Sequence, residues 1–250
     1  MIALVTGATA GFGAATTRRL ARDGARVVAA GRRKDVLDEL ARESDGRVHA
    51  LALDVRDRAA VESAIAGLPD AFAAIDVLVN NAGLAIGLEP AQDASLDDWD
   101  TMVDTNVKGL MYVTRAVLPG MVARNRGHIV NLGSTAGEFP YPGGNVYGAT
   151  KAFVHQFSLN LRADLLGKNV HVTDLAPGLC GGTEFSTVRF RGDAEKAGSV
   201  YAGTVPLSAD DIAETIAWIV SRPPHVNINS IQMMPVIQAF GPLAVRRTEE

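Results

Sequence analysis

Tyr147 and Lys151, in the run Tyr147-Gly-Ala-Thr-Lys151, stand four residues apart, and Ser134 lies thirteen residues before the tyrosine. On a helix, positions i and i+4 share one face, which sets an ammonium beside a phenol. A phenol ordinarily ionises near pH 10 or so, and a neighbouring cation favours its anion. Bringing it to neutrality takes a shift of roughly 3 units, about 4 kcal/mol, which a close cation in a poorly solvated cleft could supply with help from a positively charged oxidised cofactor. Such a tyrosine gives a proton to an alkoxide in one direction and takes it from an alcohol in the other. A serine hydroxyl beside it would steady the charge developing on the reacting oxygen. A Tyr-x-x-x-Lys pair alone is more often a half-buried aromatic with a lysine stem laid along it, so the surrounding elements decide.

Those elements begin at residue 2, where Ile2-Ala-Leu-Val-Thr6 reads as a short buried strand running into Gly7-Ala-Thr9-Ala-Gly11-Phe12-Gly13, with a helix directly after. Glycines at a strand-to-helix turn let the backbone approach a pyrophosphate, and the free N–H groups of the helix start favour its charge. The spacing is G-x-x-x-G-x-G, not the commoner G-x-G-x-x-G. Further on, short apolar runs at 26–31, 48–54, 76–80, 128–134 and 169–176 predict strands, and residues 228–240 predict a last strand with an extension. Helical patterns cover 11–23, 34–43, 57–68, 96–124, 147–166 and 209–220. This alternation predicts one α/β domain over residues 1–250, a parallel sheet with helices on both faces and ligands at the carboxyl ends of its strands. Residues 177–208 read as one long irregular stretch, which in a compact enzyme is a lid or substrate loop.

The end of the second strand carries a cofactor signal. An acidic residue there would bond a ribose 2′-hydroxyl, but Gly31 is followed by Arg32 and Arg33, whose guanidinium forks suit a 2′-phosphate. The expectation is NADP(H). Asp54 and Val55 close the third strand, where Asp54 could cap the next helix.

Taken together, the Thr6–Gly13 loop, Asn80-Asn81-Ala82-Gly83, Asn106, Ser134, Tyr147-x-x-x-Lys151 and Pro177-Gly178 resemble the ordered motifs of the short-chain dehydrogenase/reductases. Within that family the chain is most similar to bacterial NADP-dependent 3-hydroxy acid dehydrogenases, which act on serine and allo-threonine and reduce malonic semialdehyde. That closer likeness rests on Gly143-Gly-Asn-Val-Tyr147, on Gly181-Gly-Thr-Glu-Phe-Ser-Thr-Val-Arg-Phe190, and on the stretch from His225 to Pro235. The resemblance implies a Rossmann fold with strand order 3-2-1-4-5-6-7. It also implies that Asp54 and Val55 hold the adenine, that Asn81, Ala82 and Gly83 border the ribose and that Asn106 bends a long helix and holds a water beside Lys151. Pro177, Gly178, the Leu179 backbone and the Thr183 hydroxyl become candidates for the nicotinamide end, and the family's homotetramer becomes the expected assembly. The chain departs from close relatives at Ala176, where an acid is usual, and at Cys180, where valine is. Uncharged ketones or aldehydes are the alternative substrates, and a dinucleotide sensor without turnover is a further reading, opposed by the complete Ser-Tyr-Lys set. A hydroxy acid carries a carboxylate that needs a partner out of water, and Arg189 is the candidate. Its alternatives are a surface position or an anchor to Glu184.

Composition sets limits. A net charge of −4 gives no reason to expect nucleic acid, and the Arg pairs at 32–33 and 246–247 are too short for a binding patch. The five histidines show no metal-ligand spacing, no apolar run reaches membrane length, and the single Cys180 has no disulfide partner within the chain. With the first strand starting at Ile2 there is no room for a cleavable export signal, so a reducing cytoplasm is expected.

Overall fold

A computed structural model describes residues 1–241, so the 246–247 arginine pair lies outside the described residues. Strands β1 (Ile2–Thr6), β2 (Arg26–Gly31), β3 (Val48–Ala52), β4 (Val77–Asn80), β5 (Gly127–Leu132), β6 (Val170–Pro177) and β7 (Ser230–Met233) form one sheet. Their order is β3-β2-β1-β4-β5-β6-β7, with every pairing parallel. The expected seven-stranded order is therefore the observed one.

The apolar strands are buried on both sides because alternate residues feed two separate cores. Ala3, Val5, Val27, Ala29, Val77 and Val79 face helices α1 (Gly11–Arg22), α2 (Lys34–Arg42) and the later Ala209–Val220 helix. Leu4, Val28, Ala30, Leu78 and Ile129 face the other layer, built from α3 (Arg58–Ala66), the Leu110–Ala123 helix and the Asn145–Asp164 helix. A short turn of helix, α4 (Asp70–Ala73), enters β4 and was not legible as a helix in the sequence. Asp57, not Asp54, caps α3 by accepting from Ala60 N at 3.0 Å, which removes the capping alternative for Asp54.

The single helix expected over 96–124 is two helices, α5 (Leu96–Val103) and α6 (Leu110–Ala123), joined by a π-helical turn over Asp104–Gly109. Periodicity reads continuously through such a turn because only one residue is added per turn. Helix α7 (Asn145–Asp164) follows β5 and carries the Tyr-Lys pair. Residues 177–208 correct the expectation of an irregular stretch, since they contain α8 (Phe185–Arg189) and α9 (Ala194–Ser199) ahead of α10 (Ala209–Val220). Helices of five and six residues are too short to leave a periodic signal. Among the described residues no helix is long and apolar enough to cross a membrane.

At the amino ends of β5 and β6, His128 is buried and stacked on His171 with ring centroids 5.1 Å apart. Thr173 Oγ1 donates to Ile228 O at 2.7 Å and so accepts from His128 Nε2 at 2.9 Å, which makes the imidazole a donor there. Burial, then the neighbouring His171, pushes the His128 pKa from 6.5 down to about 3. In the unfolded chain this histidine takes a proton near 6.5 while the folded protein refuses it, so its share of stability is complete above pH 6.5 and is lost as the pH falls from there toward 3. The expected slope is at most about 1.4 kcal/mol per pH unit. Urea unfolding of the wild type between pH 7 and 5 should therefore lose stability faster than His128→Gln does; parallel pH profiles for the two proteins would remove this histidine from the account.

Candidate active site

The carboxyl ends of all seven strands open into one cleft of about 1160 Å³, which runs from the arginines after β2 to the aromatic cluster around Tyr147. Its floor is the glycine loop. Gly7 has φ +65° and Gly11 φ +48°, left-handed conformations that side chains rarely adopt, and a Cβ on Gly7 would lie 2.9 Å from Ala82 Cα. Gly13 does not reach the cleft; a Cβ there would meet Gly7 O at 2.2 Å, so this glycine lets α1 pack against the loop. Thr9, Gly11 and Phe12 do line the cleft. The first turn of α1 has neither a side-chain cap nor an acid, leaving its N–H groups for an anion.

A second layer of bonds holds the loop. Thr6 Oγ1 accepts from Asn81 N and Ala82 N at 3.0 and 2.9 Å, and Asn81 Nδ2 returns bonds to Thr6 O and Gly7 O at 2.8 and 3.2 Å. Asn81, Ala82 and Gly83 thus stand on the cleft wall with Asn81 tied to the glycine loop. Beneath them Asn80 donates to Thr114 Oγ1 and Asn131 Oδ1, and Asn131 donates to Ser158 on α7. Asn106 is likewise behind the wall and not in it. Its Oδ1 accepts from Leu84 N at 2.9 Å while its Nδ2 donates to Leu84 O and Thr150 Oγ1 at 2.8 and 3.0 Å, joining the π-helical turn to α7.

Tyr147 and Lys151 lie on one face of α7, each 8% exposed. Lys151 Nζ stands 5.9 Å from the centroid of the tyrosine ring and donates to Leu132 O at 2.7 Å. Burial dominates both groups, pushing Tyr147 up to about 12 and Lys151 down to about 8. Hydrogen bonding with Ser134 and the charge of Arg189 work against burial at Tyr147, and Asp174 does so at Lys151. Ser134 sits two residues past β5 in extended backbone, its Oγ accepting from Ala136 N at 3.1 Å. The three side chains meet in the cleft, as their spacing predicted.

At the opposite end, Asp54 is bound through both oxygens by Arg56, whose hydrogen bonds are the chief reason its pKa is lowered. Arg33 is bound in turn by Glu184, while Arg32 makes no hydrogen bond or ion pair among the described residues. Val55 lines this end and also packs on Gly109 of the π-helical turn.

The roof comes from the last residue of β6 and the segment that follows it. Pro177, Gly178, Leu179 and Thr183 line it, and Leu179 N donates to the side-chain carboxamide of Gln238 at 2.6 Å. A Cβ on Gly178 would stand 2.3 Å from that same Gln238 oxygen. Burial, then the charge of Asp211, pushes the Cys180 thiol pKa up to about 12, which disfavours the thiolate. Arg189 is neither a surface residue nor Glu184's partner. Its guanidinium donates to the Tyr141 hydroxyl at 2.5 Å and lies 5.3 Å from the Tyr147 ring centroid, and its buried Nε has no partner among the described residues. Tyr141, Phe185 and Gln238 complete this end and were missed in the sequence. Each comes from a separate segment that carries no pattern of its own.

The lining suits a dinucleotide: free N–H groups over glycines at the middle, guanidinium groups at one end, the buried Tyr147 and Lys151 at the other. Comparison with known proteins agrees. The family model for short chain dehydrogenases matches residues 1–193. An NADP-dependent 3-hydroxy acid dehydrogenase of Salmonella typhi is 62% identical over 99% of this chain and 100% of its own length. A serine 3-dehydrogenase of Agrobacterium fabrum is 52% identical over 98% of this chain and 97% of its own. Among solved structures, a closed serine dehydrogenase complexed with NADP+ superposes with a TM-score of 0.98 at 60% identity, covering 99% of this chain and 100% of that one.

The Asn106 bonds have a measurable consequence. Asn106→Ala leaves Leu84 N–H, Leu84 O and Thr150 without their partner in a buried site, a loss of about 1–3 kcal/mol for an orphaned group. A drop of that size in urea-unfolding stability is expected; a variant as stable as the wild type would mean that water replaces all three bonds.

Proposed function

The chain belongs to the short-chain dehydrogenase family, and on that premise we propose that it interconverts a small 3-hydroxy acid and its 3-oxo acid with NADP(H), the substrate being of the serine, allo-threonine or 3-hydroxypropionate type. Relatives above 50% identity that bear the names 3-hydroxy acid and serine dehydrogenase support this reading. One observation carries the substrate class. The Arg189 guanidinium, with a buried and unpartnered Nε, stands over the ring of the proton-carrying Tyr147, so a carboxylate held by Arg189 brings a hydroxyl on the next carbons to the phenol.

Bound NADP(H) supplies the hydride in reduction and accepts it in oxidation. The side chains handle the proton and the charge. Tyr147, kept protonated by burial, gives its proton to the carbonyl oxygen as that oxygen gains charge. Ser134 holds the same oxygen by hydrogen bond. Lys151 is the cation that makes loss of the phenolic proton tolerable, and Asn106 keeps α7 and the π-helical turn in register beside it. Residues 177–208 form the lid, and Arg32 is the guanidinium available to the 2′-phosphate of NADP(H), since Glu184 holds Arg33.

The assembly proposed is a homotetramer in the cytoplasm. Exposed Met111 on α6, Leu159 on α7 and the apolar tail residues Val236, Ile237 and Phe240 support contacts between copies. Light scattering at assay concentration should give four chains per particle, and an active monomer would end that part of the proposal.

Two variants test the chemistry together. Tyr147→Phe should abolish turnover while leaving NADPH titration by fluorescence nearly unchanged, because only the proton donor is lost. Arg189→Ala should lower kcat/KM for hydroxy acids by about 2–3 kcal/mol and leave an uncharged alcohol nearly unaffected. An equal loss on charged and neutral substrates would reduce Arg189 to a structural part of the lid.

A further inference from the structure

The two arginines after β2 have different surroundings. Arg33 Nη1 and Nη2 donate to the two Glu184 carboxylate oxygens at 2.9 Å each, and Nη2 also donates to Thr9 O and Thr9 Oγ1 at 3.1 Å. Both terminal nitrogens are thus engaged, on the glycine loop and on the lid. Arg32 lines the same end of the cleft, is exposed, and makes no hydrogen bond or ion pair among the described residues.

We propose that the pair divides its work: Arg32 receives the 2′-phosphate of the cofactor, and Arg33, through Glu184, anchors the lid and so positions the group that binds the substrate carboxylate. The proposal rests on the NADP-dependent hydroxy acid reading above.

Glu184 immediately precedes α8, a helix of five residues. So short a helix is not stable by itself, and its place depends on how its ends are held. The back end is held by Gly87 N donating to Arg189 O at 3.0 Å and by the Arg189 bond to Tyr141. The front end is held by the Arg33 fork. Between them α8 carries both lid contacts on the proton donor: Phe185, with its ring centroid 5.7 Å from that of Tyr147, and Arg189. Thr183 meanwhile lies against Gly11, where a Cβ would stand 3.1 Å from the threonine side chain, so the lid spans the glycine loop from one end of the cleft toward the other.

Electrostatics favours this division. A phosphate that took the Arg33 fork would have to displace a two-point carboxylate and leave it unpaired beside a dianion, two like charges in one site. Arg32 can turn to a phosphate without breaking any bond. The Arg33–Glu184 pair is also half exposed, with side-chain exposures of 44% and 55%. Such pairs bind modestly, which suits an anchor that must release when product leaves.

The test uses the full-length enzyme with four changes: Arg32→Ala, Arg33→Ala, Glu184→Gln and the Arg33→Ala/Glu184→Gln double variant. NADPH and NADH binding are titrated by fluorescence, KM and kcat are measured on a 3-hydroxy acid, and limited proteolysis follows cleavage within residues 177–208. Arg32→Ala should raise the NADPH dissociation constant about tenfold or more without changing that for NADH. Arg33→Ala and Glu184→Gln should each keep NADPH binding within about threefold of wild type, raise the hydroxy acid KM several-fold with less change in kcat, and speed lid cleavage. The double variant should be no worse than either single one, because both remove one interaction. The division fails if Arg33→Ala weakens NADPH as much as Arg32→Ala, if Glu184→Gln tightens NADPH by freeing a contested arginine, or if neither lid variant changes KM or cleavage. A wild type that binds NADPH but turns over no hydroxy acid would refute the substrate reading, while the binding and cleavage measurements would still decide the division.

Discussion

The bond from Lys151 Nζ to the Leu132 carbonyl, 2.7 Å long and buried, is the contact on which the arrangement of the site turns. It pins the middle of α7 to the last residue of β5, and two residues beyond that strand end stands Ser134. The spacing between the serine and the tyrosine across the cleft therefore follows from one helix-to-sheet attachment. An ammonium removed from water is costly, and that cost appears as a Lys151 pKa brought down to about 8. Asp174, 1% exposed and bound to His155 Nδ1 at 2.8 Å, is the buried carboxyl whose field opposes that loss. Tyr147, Lys151 and His155 thus follow one another at intervals of four along α7, facing the sheet.

Buried side-chain bonds, more than backbone, hold the neighbouring elements to this helix. The run Asn80, Asn131, Ser158 crosses from β4 through β5 to α7, and Asn106 ties the segment before α6 to α7 through Thr150. Thr6 and Asn81 do the same between β1 and the turn after β4. Polar groups in such places must be satisfied, so each bond demands a particular separation of its two elements. This explains why a redox site of small reach needs asparagines and threonines well away from the chemistry. It also accounts for the π-helical turn, whose extra residue lets Asn106 face Leu84 and Thr150 together.

The cleft has walls of two kinds. One is the sheet edge and glycine loop, where close approaches such as Gly13 to Gly7 and Gly109 to Val55 leave no room for movement. The other is the 177–208 segment with the tail, held by exposed ion pairs, by short helices and by single contacts such as Gln238 on Leu179 and Phe240 on Phe139. Close packing around Tyr147 and Lys151 and lightly held segments over them give the cleft one firm wall and one wall of low local stability.

Much of this was legible from the chain because its signals are local. Alternating apolar strands and helices give the layers and the parallel sheet, the strand–glycine–helix run gives the tight loop ahead of α1, and the i, i+4 spacing gives the face that Tyr147 and Lys151 share, since each depends on residues a few positions apart. Tertiary structure decided what depends on distant partners. Lys151 reaches the Leu132 carbonyl because folding lays α7 against the end of β5, and at the Tyr147 phenol burial outweighs the opposing Ser134 hydrogen bond and Arg189 charge. Arg33 and Glu184, 151 residues apart, meet only because the lid returns over the first loop, which leaves Arg189 free to face the tyrosines. The short α8 and α9 and the π-helical turn carry too few residues for periodicity to register, so only packing defines them.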